Sequence, residues 1–182
     1  KIRTGIIWKY LCFYFIVLWQ CSKFNDRGNN NLIIMNNNLR KFCVAPMMGY
    51  TTSHARRLYR ILSKKSFLFT EMIPSKTLIN STKRDKIIEN NIQNPIALQV
   101  GGSDYTDLIA CSKLARNHNY QELNLNVGCP SKAVQKGSFG VCLMQDKVLV
   151  KNCLKAMVES SDIEVSIKCR IGIGRELNYN LF

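Results

Sequence analysis

Five short stretches with strand character, near residues 42–46, 67–72, 95–100, 122–127 and 164–169, alternate along this chain with stretches of helical periodicity. That rhythm constrains the fold more than any other feature, because successive strands joined through helices pair in parallel and bury both faces of their sheet. Capping residues mark the helix starts. Thr51 or Thr52 precedes a helix expected to carry His54, Leu58, Ile61 and Leu62 on one face; Asp104 precedes one with Asp107 in its first turn and Leu108, Cys111 and Ala115 inward; Asp146 precedes one carrying Leu149, Cys153 and Met157. A complete (β/α)8 barrel takes eight such units and about 250 residues. The expected fold is therefore α/β: a truncated (β/α)8 TIM barrel of five βα units over residues 41–182, the amino-terminal part of an enzyme.

In such a fold, catalytic groups come from the carboxyl ends of the strands and the loops after them. Residues 122–144 show the clearest case. Leu123, Leu125 and Val127 alternate with Asn124 and Asn126, and the run ends at Gly128-Cys129-Pro130, which puts Cys129 where a strand gives way to a glycine-rich loop. A lone cysteine is commonly a small buried hydrophobe, and seven others occur here. The company at other strand ends argues for more: Pro46-Met47-Met48 after the first strand, Gln99 at the third, Lys168 and Arg170 at the fifth.

The first forty residues have a different character. Lys1 and Arg3 precede the unbroken apolar run of residues 10–19, which resembles a signal-peptide core and is too short for a membrane span of about 20 residues. Residues 21–41 are asparagine-rich, with Asp26 as their only acid. Two readings stay open for residues 1–40: a non-globular targeting leader, or translated upstream sequence ahead of Met35.

Twenty-six Lys and Arg against 12 Asp and Glu give a net charge of +14. Residues 1–43 hold seven basic residues and one acid, so the remainder keeps +8. A basic surface of this kind attracts phosphate polyanions, which mildly favours a nucleic-acid partner. The eight cysteines lack the paired spacing of a zinc site, and His54 and His118 have no neighbour at metal-ligand spacing, so no metal is expected. Cysteines scattered through predicted strands and helices read as reduced thiols, placing the protein in the cytoplasm or, with a working leader, in a plastid or mitochondrial matrix.

Six segments, Val44-Ala45-Pro46-Met47-Met48, Phe69-Thr70-Glu71-Met72, Ala97-Leu98-Gln99-Val100-Gly101-Gly102-Ser103, Asn124-Leu125-Asn126-Val127-Gly128-Cys129-Pro130-Ser131, Gly137-Ser138-Phe139-Gly140-Val141-Cys142-Leu143-Met144 and Lys168-Cys169-Arg170-Ile171-Gly172, together resemble the tRNA-dihydrouridine synthases in order and spacing, most nearly the bacterial type A branch. The resemblance covers about residues 40–175. It implies reduction of the C5=C6 bond of uridine in the D-loop of tRNA by FMN, with NADPH as reductant, and the type A likeness suggests uridines 20 and 20a. It further implies that Cys129 is the general acid; that Pro46, Met47, Met48, Gln99 and Lys168 contact FMN; and that Asn126 meets the extruded uracil, with Arg170, Lys132 and Lys136 on the RNA side. One departure stands out: Gly49 follows Pro-Met-Met where type A members usually carry an acid.

Two other classes compete with this reading, another FMN-dependent pyrimidine reductase and a non-catalytic RNA-binding remnant. If residues 1–41 are a targeting leader, a fluorescent protein fused to them leaves the cytosol; a diffuse cytosolic signal removes the leader.

Overall fold

The computed structural model describes residues 40–88 and 94–170, so all but the last residue of the segment 1–40 for which a leader is one reading, and Ile171 and Gly172 of the last motif, lie outside the described residues. Thirteen elements follow one another: β1 (Cys43–Val44), α1 (Ser53–Leu62), β2 (Phe67–Phe69), β3 (Ile73–Pro74), α2 (Ser75–Asn80), α3 (Arg84–Ile87), β4 (Ile96–Gly101), α4 (Tyr105–Asn117), β5 (Glu122–Asn126), α5 (Lys132–Lys136), a 3₁₀ turn (Gly140–Gln145), α6 (Lys147–Ser160) and β6 (Glu164–Lys168). The sheet runs β1-β2-β4-β5-β6 with every pairing parallel, and β3 joins it beside the end of β4. This is a parallel α/β sheet with alternating helices, compatible with part of a TIM barrel.

Strand parity separates two interiors. On β5, Leu123 and Leu125 face the helices and join Leu98, Val100, Leu108, Cys111, Ala115, Cys153 and Met157 in one fully buried apolar layer. The other parity holds polar groups. Register aligns Ala97 with Glu122 and Glu164, then Gln99 with Asn124 and Ser166, then Asn126 with Lys168. On the β2 side that inner face becomes aromatic, with Phe67 and Phe69 edge to face at 5.5 Å and Ala97 beside them. Stacked rows of inward side chains from neighbouring strands are how a parallel barrel fills its centre.

Caps fall where the sequence places them. Thr52 accepts from Ala55 N at the start of α1, Asp104 accepts from the Thr106 and Asp107 amides at α4, and Asp146 accepts from Leu149 N at α6. The second expected strand, however, breaks in two. Thr70 Oγ1 takes the Gln99 N–H at 2.9 Å and donates to Glu71 O, so a side chain replaces the ladder and the backbone leaves the sheet until Ile73.

The face that α1 gives to His54, Leu58, Ile61 and Leu62 is the outer one. Leu58, Ile61 and Leu62 are 53%, 79% and 74% exposed, and His54 faces outward with them. The inward positions go to Arg56 and Tyr59, whose polar ends reach the Thr51 and Tyr50 carbonyls of the loop before the helix, while Arg60 holds the Ser63, Lys64 and Pro95 carbonyls. Loop carbonyls without a ladder partner recruited the arginines, and helical periodicity carries no trace of that demand. Accordingly, Ile61→Lys with Leu62→Lys shifts unfolding free energy by no more than about 0.5 kcal/mol in urea titration, whereas Leu108→Ala costs about 2–5 kcal/mol.

Candidate active site

The chain leaves β5 through Val127, whose N–H donates to Lys168 O at 2.9 Å, and then makes the loop that carries Cys129. Asn126 caps that loop: its Oδ1 accepts from Gly128 N at 3.2 Å and from Cys129 N at 2.9 Å. From outside, Arg170 Nε donates to Gly128 O at 2.6 Å, and Val141 N donates to Cys129 O at 3.0 Å. Gly140 permits the last contact, because its φ of +67° suits glycine and a Cβ there would sit 2.7 Å from Cys129 O. Four contacts from three directions thus hold the backbone that carries a half-buried thiol at the carboxyl end of the sheet.

Lys168 ends β6 in register with Asn126. Its ammonium makes no hydrogen bond or ion pair among the described residues. Burial first, then the Arg170 guanidinium, hold its pKa below the usual lysine value, while the Cys129 and Cys169 thiols pull it up. A half-buried cation without a partner among the described residues fits an anionic edge of a bound group, and an FMN whose reduced ring carries charge on one edge is such a group.

The remaining expected residues divide. Gln99 lies within β4 and not at its end: it is 1% exposed, donates to Asn124 Oδ1 at 2.7 Å and accepts from Asn126 Nδ2 at 3.1 Å. Asn126 is buried likewise, its carbonyl committed to the Cys129 loop. Pro46 and Met47 are partly buried in the loop after β1, with Met48 64% exposed. That loop is closed on itself through Thr51, whose hydroxyl accepts from Met47 N, and it is tied to the chain after β2 by Gly49 N donating to Glu71 Oε1 at 2.6 Å. Gly49 has φ +79°, so the departure from the type A pattern coincides with a left-handed turn. Arg170, Lys132 and Lys136 are exposed, the lysines on α5 directly after the Cys129 loop.

Two functional candidates escaped sequence reasoning: Glu122 and Arg40. Glu122 is fully buried on the polar face of β5 and accepts from Ser166 Oγ and from Arg40, which also lies 3.5 Å from Glu164 and stacks 4.5 Å over the Phe67 ring. The signal was present in the alternation, since Glu122 shares parity with Asn124 and Asn126. Burial pushes its carboxyl up to about 7, with Arg40 and Ser166 acting in the opposite direction and Glu164 adding to the rise. A carboxyl whose pKa rises on folding binds more protons in the native state, so its contribution to stability is full below the ordinary value of 4.5 and is lost as pH climbs through about 7. Arg40, Ser166, Glu164 and Cys43 are the groups facing it. Urea midpoints should therefore fall between about pH 5 and pH 8, and Glu122→Gln should flatten that slope; an unchanged slope assigns the titration to other groups.

The family profile described as Dihydrouridine synthase (Dus) matches residues 43–181. A tRNA-dihydrouridine(20/20a) synthase of Vibrio vulnificus is 46% identical over 139 residues, 76% of this chain and 42% of the relative. That of Haemophilus ducreyi is 48% identical over 133 residues, 73% of this chain and 41% of the relative, and that of Escherichia coli K12 is 45% identical over 139 residues, 76% and 40%. The fold and the cysteine loop thus define a chain with a parallel α/β sheet compatible with part of a TIM barrel. It belongs to the dihydrouridine synthase family, and it spans about two fifths of the length of the curated relatives it matches.

Proposed function

We propose that this chain carries the uridine-reducing site of a tRNA-dihydrouridine synthase, with uridines 20 and 20a of the D-loop as substrates. One observation carries the reading: the half-buried Cys129 thiol, on a loop whose backbone is held at four points, stands at the same end of the sheet as the Lys168 ammonium, which has no partner among the described residues. FMN, reduced by NADPH, would supply hydride to uracil C6 when bound. Everything else falls to the chain. Negative charge then developing at C5 and its carbonyl takes a proton from the Cys129 thiol, as general acid. Lys168 would offer positive charge to the cofactor's pyrimidine ring, Gln99 would offer its second amide hydrogen to the same ring, and the Pro46-Met47-Met48 loop would add backbone and thioether surface to hold it.

The uracil must leave its stack to reach a thiol seated in a loop, at a cost of a few kcal/mol that phosphate and base contacts recover. Arg170, Lys132 and Lys136 supply the cationic side for that contact. Asn126 acts on the base through its remaining amide hydrogen, its carbonyl being held by the loop. Residues 1–40 are proposed as the leader that takes the protein to an organelle matrix; without them acting so, it stays in the cytoplasm.

A chimera decides the central point. Residues 43–170 replace the matching stretch of the Escherichia coli relative, and dihydrouridine in tRNA is measured by mass spectrometry. The chimera should form product, and Cys129→Ala should lower its rate by about 10²- to 10⁴-fold with flavin content unchanged. Cys142→Ala, in the 3₁₀ turn, should cost only stability, on the order of 1 kcal/mol. Equal loss in the two variants, or a fully active Cys129→Ala, makes the loop cysteine structural.

A further inference from the structure

A single file of hydrogen bonds runs down the polar interior from the Cys129 loop to the opposite end of the sheet. Gly128 N and Cys129 N donate to Asn126 Oδ1. Asn126 Nδ2 donates to Gln99 Oε1 at 3.1 Å, Gln99 Nε2 to Asn124 Oδ1 at 2.7 Å, Asn124 Nδ2 to Ser166 Oγ at 2.6 Å, and Ser166 Oγ to Glu122 Oε1. Every amide takes a hydrogen from above and passes one below. The file has fixed ends: backbone N–H groups at the mouth can only donate, and an ionised carboxylate at the floor can only accept. An amide between them has two orientations, and only one satisfies both neighbours.

We infer that Glu122 is a positioning residue: from the floor of the sheet it sets, through four side-chain hydrogen bonds, the direction in which Asn126 presents its amide to the Cys129 loop. Its second oxygen accepts from Arg40, which fixes the consequence of removing the charge. In Glu122→Gln the new amide must offer its carbonyl to the Arg40 guanidinium and therefore its NH₂ to Ser166. Donors then face Ser166 on two sides, and its hydroxyl proton has no acceptor unless Asn124 turns its carbonyl round. Turning Asn124 turns Gln99 and then Asn126, whose NH₂ is brought against the Gly128 and Cys129 amides. Donor meets donor, and the loop loses its cap.

The orientation of Asn126 follows from the interior geometry alone; its bearing on proton transfer rests on the dihydrouridine synthase reading. Hydrogen exchange in the intact 182-residue chain at about pH 8 separates the two, since it needs neither cofactor nor tRNA. The Gly128 and Cys129 amides are compared with the Leu108 amide, which donates to Asp104 O in α4. Glu122→Gln should speed exchange at Gly128 and Cys129 by about tenfold, the worth of a typical intramolecular hydrogen bond, and leave Leu108 near its original rate. The double variant Arg40→Met with Glu122→Gln is the decisive arm. Without the guanidinium, the amide introduced by Glu122→Gln is free to turn its carbonyl to Ser166, the original direction returns, and protection at Gly128 and Cys129 should recover although a second buried polar contact has been deleted. A purely stabilising floor cluster predicts the opposite, a double variant worse than the single. Unchanged exchange in Glu122→Gln, loss shared equally by Leu108, or loss that the double variant does not recover would each overturn the assignment.

Discussion

The parallel register of β4, β5 and β6 is the constraint on which the rest of the site depends. It places Gln99, Asn124 and Ser166 in one row and Asn126 beside Lys168 in the next, so that polar side chains from three strands meet at hydrogen-bonding distance without any loop intervening. A slip of one residue in any pair would exchange the polar and apolar faces and bury Leu123 and Leu125 in the polar file while pressing Asn124 into the helix layer. The apolar layer defends the register from outside, since Leu98, Leu123 and Leu125 are wholly removed from water against α4 and α6. Packing and hydrogen bonding therefore specify the same alignment. Consistency of that kind is what lets an interior hold so many polar groups in order.

A buried polar file is unusual in a small sheet because each member costs free energy unless both its donors and its acceptors are met. Here the file is nearly self-sufficient, closed by a backbone loop above and a carboxylate below. The guanidinium of Arg40 completes the floor, bridging Glu122 and Glu164 and lying over Phe67. Its planar fork allows contact with two carboxylates and an aromatic face together, which a lysine ammonium could not reproduce. Charge sits at the two ends of the interior, Arg40 with its acids at the floor and Lys168 at the mouth. Among the described residues only the floor cation of the two is neutralised by carboxylates, and that asymmetry leaves Lys168 with electrostatic capacity to spare for an anion.

Much of this was legible in the residues, and the failures have physical causes. Period-2 alternation located β5 and put Cys129 on the loop after it, and side-chain caps announced α4 and α6 at Asp104 and Asp146. The same alternation misled where side chains compete with the backbone: Thr70 takes a ladder hydrogen bond and splits one expected strand into β2 and β3. Gln99 read as a strand-end group because the strand was cut one residue short, whereas β4 continues to Gly101 and encloses it. On α1, periodicity put Leu58, Ile61 and Leu62 on one face without saying which way it turns; loop carbonyls needed donors more than the sheet needed apolar cover, so Arg56 went inward and the apolar face outward. Pattern reasoning counts hydrophobic positions; it does not count unsatisfied carbonyls.

The site also shows why a motif is more than its reactive residue. Cys129 alone resembles any half-buried thiol, and nothing in its own chemistry distinguishes it from Cys142 on the same connection. What differs is restraint. The Cys129 backbone is held at its N–H by Asn126 and at its carbonyl by Val141, and the Gly128 carbonyl before it by Arg170, while Gly140 leaves the space in which these approaches occur. A general acid gains its rate advantage from being within reach of one atom at the moment charge develops there, so freedom of a fraction of an ångström in the loop would erode it. Asparagine suits position 126 for that reason: its carbonyl can cap the loop while its amide hydrogens serve the file below and the mouth above. An aspartate there would still accept from the loop, but it would present a second acceptor to Gln99 Oε1, and repulsion at that point would undo the restraint on Cys129 from beneath.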